Sequence, residues 1–189
     1  GVVFKLLCAL ESVYSSTDII SAMRKITYDY ADLTAIGTIA DVMPVIDENR
    51  IIISLGLALA ENTSKVGLSA LIDVCRNGDG KQVKYKKNKK LSSGFVGFTL
   101  APRINAAGRI DSANISVDLF LSNDKAEANK LALKLCDINK ERQFEENKIA
   151  DMAYEIIENN GYSDKSIMVL DDENWHHGVI GIVASRVSD

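Results

Sequence analysis

The chain has 189 residues and a mass of 20.6 kDa, enough for one sizeable core or two small ones. Its 47% hydrophobic and 25% charged residues exclude a disordered chain, a collagen-like fibre and a disulfide scaffold. Net charge is −4, yet residues 81–110 hold six Lys, two Arg and no acid, so that window is +8 and the remainder −12. Such asymmetry points to an anionic partner.

Residues Val3, Leu6, Leu7, Leu10 and Val13 recur at helical spacing and predict a buried helix over 2–14. Thr17-Asp18 is a cap for a second helix through about Tyr28. A short helix from Asp32 carries Leu33, Ile36 and Ile39 and stops at Asp41-Val42-Met43-Pro44, because Pro44 lacks an amide hydrogen and disfavours helix in Met43. Arg50–Glu61 and Gly67–Arg76 are two more short helices. Asn77-Gly78-Asp79-Gly80 reads as a turn opening a lysine-rich loop, and Gly94–Leu100 reads as a strand.

Asp124–Asn160 has no Pro or Gly and is rich in Ala, Leu, Lys and Glu, which predicts one long helix. Its ends are apolar and its middle, Asn139–Lys148, is polar except for Phe144, the pattern of a strut between two bodies, with a long helix lying across one domain or a coiled-coil arm as the alternatives. Gly161 terminates it. Ile167–Leu170 reads as a strand, 171–177 as a loop and Val179–Val187 as a helix. That order is an α/β signature. The expected fold class is therefore α/β.

No apolar run approaches the roughly 18 residues of a membrane span. No secretory leader is visible. The chain opens on Gly1 with apolar residues at once, so it reads as a piece of something longer. Cys8, Cys75 and Cys136 are odd in number and form no Cys-x-x-Cys pair, which suits buried thiols in a reducing cytoplasm.

Few residues carry obvious chemistry. Asp41 sits between two apolar runs, so its carboxylate is solvated at a cleft, paired, or bound to a cation such as Mg²⁺ or Mn²⁺. A plain helix-terminal Asp is the bland alternative. One carboxylate does not make a two-metal site. Arg103 and Arg109 flank Pro102, Asn105 and Gly108 in a run with few other charges, where a guanidinium usually has an assigned partner. Lys86 and Lys87 belong to the lysine loop, which is either solvated or phosphate-attracting. Adjacent His176-His177 diverge on any regular element, so a zinc site is unsupported. Gly178 leaves room at a helix N-terminus for an anion, or simply makes a turn. Trp175 is a core lid or a stacking platform. No nucleophile triad, P-loop or dinucleotide fingerprint occurs.

Three segments together resemble a known family. Asp32–Pro44 (DLTAIGTIADVMP) looks like the fourth motif of the RecJ-type single-stranded-DNA exonucleases. Gly97–Arg109 (GFTLAPRINAAGR) looks like their arginine loop, and Asn174–Arg186 (NWHHGVIGIVASR) like the opening of their DHH-associated domain. Asn139, Arg142, Gln143 and Glu145 fit the family's long connecting helix. The resemblance implies the C-terminal part of a DHH-type α/β domain over 1–122, a connecting helix over 123–160 and the beginning of a second α/β domain over 161–189.

It also implies a cytoplasmic 5′→3′ exonuclease of single-stranded DNA, using Mn²⁺ or Mg²⁺ and acting in DNA repair and recombination, with replication or repair proteins as candidate partners and no membrane. Asp41 matches a metal ligand. Arg103, Asn105 and Arg109 match the DNA-facing loop, and His176 the histidine after Trp. The family's other metal-binding motifs are absent from these residues, so the 189-residue piece is expected to be inactive. Sister readings are an oligonucleotide or cyclic-dinucleotide phosphodiesterase of the same superfamily, and a catalytically silent single-strand-binding relative.

Overall fold

Asp18 starts the second helix as its sequence suggests, its carboxylate accepting from the amides of Ile20 and Ser21, both at 3.0 Å. The helix it opens does not stop near Tyr28. In the computed structural model, which describes residues 1–77, 90–162 and 165–188, it runs unbroken from Ile19 to Ala40 as α2. The other elements are α1 (Val2–Tyr14), α3 (Asp47–Ala60), α4 (Val66–Arg76), α5 (Ser93–Phe95), a π-helical turn π1 (Val96–Leu100), α6 (Ala101–Ile110), α7 (Asn114–Leu121), α8 (Lys125–Asn160) and α9 (His177–Ser188).

No strand occurs among the described residues, so the α/β expectation is overturned in favour of an all-helical fold. Both expected strands fail for physical reasons. Gly94–Leu100 is drawn into helix by the helical run behind it, with the Ser92 hydroxyl capping the amide of Phe95 at 3.2 Å. Ile167–Leu170 is not helical, but it has no neighbouring strand among the described residues to complete a ladder. Helix α7 carries no cap signal strong enough to be read from the sequence.

Three apolar clusters organise the packing. The largest joins Leu68, Leu71, Val96, Leu100, Ala107 and Leu119 to the first half of α8 through Ala128, Ala132 and Leu135. A second joins the far half of α8 (Ile149, Ala150, Ala153) to Val179 and Val183 of α9. The third is small: Phe4, Cys8, Ile26 and Ile52. It buries only one side of α1. Val3, Leu6, Leu10 and Val13, expected to be buried, are exposed. Helices α2 and α3 approach closely at Gly56, where a Cβ would lie 2.1 Å from the Ala31 carbonyl oxygen.

Asp32, the first residue of the resemblance segment, is spent on architecture. Its carboxylate is buried and accepts from Lys65 Nζ (2.8 and 2.9 Å) and from the Thr63 hydroxyl (3.0 Å), tying α2 to the start of α4. Removing one partner of a buried pair strands the other. Asp32→Ala should therefore cost on the order of 3 kcal/mol in urea unfolding.

The end of α2 is a Schellman motif. The Val42 amide donates to the Ile39 carbonyl (3.1 Å) and the Met43 amide to the Thr38 carbonyl (3.2 Å). The left-handed position of that motif is normally glycine, yet Val42 holds it with φ of 52°. A β-branched residue is strained there. Val42→Gly should raise stability by roughly 1 kcal/mol, read as a higher urea midpoint.

The α2 cap also predicts a pH dependence. The Ser21 hydroxyl and amide hold the Asp18 carboxyl below its ordinary range. A depressed folded value means that the stabilisation is fully present above the unfolded value and is lost as pH falls through the folded one. Between about pH 5 and pH 2, wild type should lose stability relative to Asp18→Asn, which keeps a cap but does not titrate.

Candidate functional site

The run from Ser93 to Ile110 is continuous helix of changing pitch, so the expected arginine loop is an arginine helix. Pro102 explains the change. It has no amide hydrogen to give to the carbonyl four residues back, and a π turn ahead of it absorbs the mismatch, with the Ala101 amide reaching the Val96 carbonyl. Such turns are frequent at functional sites. Next to this one, Arg103 Nη1 donates to the Thr99 carbonyl at 2.7 Å. Arg103 Nε donates to Cys136 Sγ on α8 at 3.2 Å. All three cysteines are free and buried, as expected, but Cys136 does more than fill space.

Arg103 thereby lines a cleft of about 500 Å³ between π1–α6 and the middle of α8. Phe95 and Phe98 stand on one wall, and Asn139, Lys140, Arg142 and Gln143 on the other. Asn139 is buried, and its Oδ1 accepts from Arg142 Nη2 at 3.2 Å. Arg142 Nη1 donates to Glu146 at 2.6 Å. Glu146 also faces Arg186 of α9 at 3.9 Å, and Arg186 donates to Asn147 at 2.9 Å. The polar middle of α8 is thus a chain of paired groups reaching from the cleft to α9.

Arg109 does something different. Six residues beyond Arg103, it projects about 120° away around the helix axis. Its Nη1 donates to the Gly178 carbonyl at 3.0 Å. Gly178 seats directly on the α6 backbone: a Cβ there would lie 2.1 Å from the Arg109 carbonyl oxygen. The room that Gly178 provides is used for this packing. His176 Nδ1 accepts from the Gly178 amide at 3.1 Å and so caps α9. Asn105, four residues before Arg109, shares its face and is exposed.

Asp41 caps the C-terminal end of α2 with an exposed side chain. The same helix end touches π1, where Ile39 Cγ2 lies 3.6 Å from the Cβ position of Gly97. Asp41 supplies one carboxylate, and among the described residues no three His, Cys, Asp or Glu side chains gather into a set that could hold a metal ion. These residues alone do not fit a Mg²⁺ or Mn²⁺ centre, which needs several oxygen ligands. Lys86 and Lys87 lie outside the described residues.

Trp175 packs on the α8–α9 cluster, and its shielded Nε1 has no partner among the described residues. The site residues missing from the sequence-based set are Phe98 and the α8 wall. Phe98 is masked in the sequence by its apolar neighbours. The wall has a signal, the polar interruption of an otherwise apolar helix, but spacing presents it only as solvent exposure.

No family model matches the chain. Curated relatives do. The single-stranded-DNA-specific exonuclease RecJ of Bacillus subtilis is 39% identical over 189 residues, covering 100% of this chain and 21% of that protein. The RecJ of Haemophilus influenzae is 34% identical over 194 residues, covering 100% of this chain and 32% of that protein. The chain therefore spans about a fifth to a third of the length of the curated relatives it matches.

Among solved structures, RecJ of Thermus thermophilus in complex with Mn²⁺ matches with a TM-score of 0.72 at 34% identity, over 88% of this chain and 24% of that one. An exonuclease RecJ bound to manganese matches with a TM-score of 0.71 at 35% identity, over 89% and 41%. No helix of the described residues is long and apolar enough to cross a membrane. Relatedness along the whole chain in sequence and along most of it in backbone leads to one conclusion: this chain belongs to the RecJ-type exonuclease family.

Proposed function

We propose that the protein of which these residues form part hydrolyses single-stranded DNA from its 5′ end, and that this segment holds the strand's backbone. The observation that carries the reading is the cleft between π1–α6 and α8. Arg103 is anchored there by Thr99 and Cys136, so its charge is pre-positioned and does not wander in solvent. A guanidinium held in this way suits phosphate, which it positions without reading sequence. Asn105 lies on the exposed face of α6 and adds a neutral contact. Arg109 serves the strand through position, by holding α9 against α6.

Mn²⁺ or Mg²⁺ is the metal in this reading, in keeping with the T. thermophilus RecJ structures that hold these ions. Asp41 would contribute one oxygen donor to such a centre, and a metal bound there would polarise the phosphodiester and activate water. Because the described residues gather no set of three metal-ligating side chains, the 189 residues alone are expected not to digest DNA. DNA repair and recombination are the processes such an activity serves, in the cytoplasm, with single-stranded DNA and repair proteins as partners. The segment bounds 1–122, 123–160 and 161–189 are proposed as its domain plan.

The test uses the longer protein. Arg103→Ala should weaken binding of single-stranded DNA about tenfold and lower the salt slope of log Kd by about one. Asp41→Asn should abolish turnover while leaving strand binding intact. Unchanged affinity and salt slope in Arg103→Ala would remove the phosphate role.

A further inference from the structure

We propose that the cleft between π1 and α8 seats one nucleotide of a single strand with its base stacked on Phe98. This rests on the preceding reading that single-stranded DNA is the ligand, and adds a base platform to its phosphate contacts. Phe98 is 88% exposed, while Val96 and Leu100 on either side are fully buried. Leaving so large a ring in water is unfavourable, since burial of its apolar surface is what normally orders a phenylalanine. The ring lies on the lining of the same cleft as Arg103, Lys140 and Arg142.

An aromatic plate beside fixed cations is the combination that grooves for single strands use. Rings take the base faces, whatever the base, and cations take the phosphates between them. A bare anion would leave Phe98 idle. An apolar side chain from a protein would meet a wall of guanidinium, ammonium and amide groups. A nucleotide satisfies both halves.

A second observation lies in the wall. Both Nη atoms of Arg142 are engaged, one by Glu146 and one by Asn139, but its shielded Nε has no hydrogen-bond partner among the described residues. The two engaged Nη atoms fix the Arg142 guanidinium in the wall of the cleft that Phe98 lines, so its charge is held in place beside the proposed base seat.

Base stacking differs from phosphate binding in one measurable way: it needs the base. In fluorescence anisotropy with the longer protein, without divalent metal so that the strand is not digested, a labelled oligothymidylate should bind about tenfold more tightly than an abasic strand of equal length. Phe98→Ala should erase that preference without changing affinity for the abasic strand, and Phe98→Tyr should retain it. The ring is exposed, so the alanine variant keeps the helical fold, as far-UV circular dichroism checks. Equal affinity of wild type for both strands, or a preference that survives in Phe98→Ala, overturns the stacking while leaving strand binding in place. Failure of the longer protein to bind either strand removes the single-strand reading itself, and the platform with it.

Discussion

One 36-residue helix sets the geometry of the second half of the chain. At 1.5 Å per residue, α8 is about 54 Å long, more than one small core can cover. Its ends are buried in different clusters, Leu135 and Ala132 in one and Ile149 and Ala153 in the other. Its middle must therefore cross between them. The sequence there changes from apolar to polar, and those polar groups are paired: Asn139 with Arg142, Arg142 with Glu146, and Arg186 of α9 with Asn147. A hydrophobic middle would have collapsed against one cluster or aggregated. A merely solvated one would have had nothing to offer a ligand.

Helix α6 meets this spine from the side. Its two arginines act in different directions because they are six residues apart on a helix. Arg103 faces α8 and the cleft, while Arg109 faces α9. The contact of Gly178 with the Arg109 backbone is close enough to exclude any side chain at that position. Two short-range contacts on one ten-residue helix thus link the cleft to the orientation of α9. The π turn ahead of Pro102 belongs to the same arrangement, since it contains Thr99, whose carbonyl anchors Arg103.

Strain collects near the other candidate residue. Asp41 is followed by Val42 in a left-handed conformation that glycine would adopt freely. A backbone held there at a cost is over-determined by its surroundings, here the Schellman hydrogen bonds and Pro44 beyond them. Asp41, the residue before this turn, closes the helix with its side chain exposed.

Long elements were legible in the sequence. Helix α1 lies where the apolar spacing put it, and α8 where composition and Gly161 bounded it, because helical periodicity and a terminating glycine are local properties. The α2 terminus and the family membership were legible too, through Pro44 and through three separated motifs. The tertiary structure decided the rest. Gly94–Leu100 became helix because its π turn is set by packing and by Pro102, and periodicity does not encode a change of pitch. The apolar face of α1 was expected to be buried, but spacing reports which residues share a face and says nothing of what covers it. Likewise, only the fold shows that Arg103 and Arg109 part company and that Asn139 is buried: the direction of a side chain depends on the helix beneath it, and its burial on elements distant in the chain.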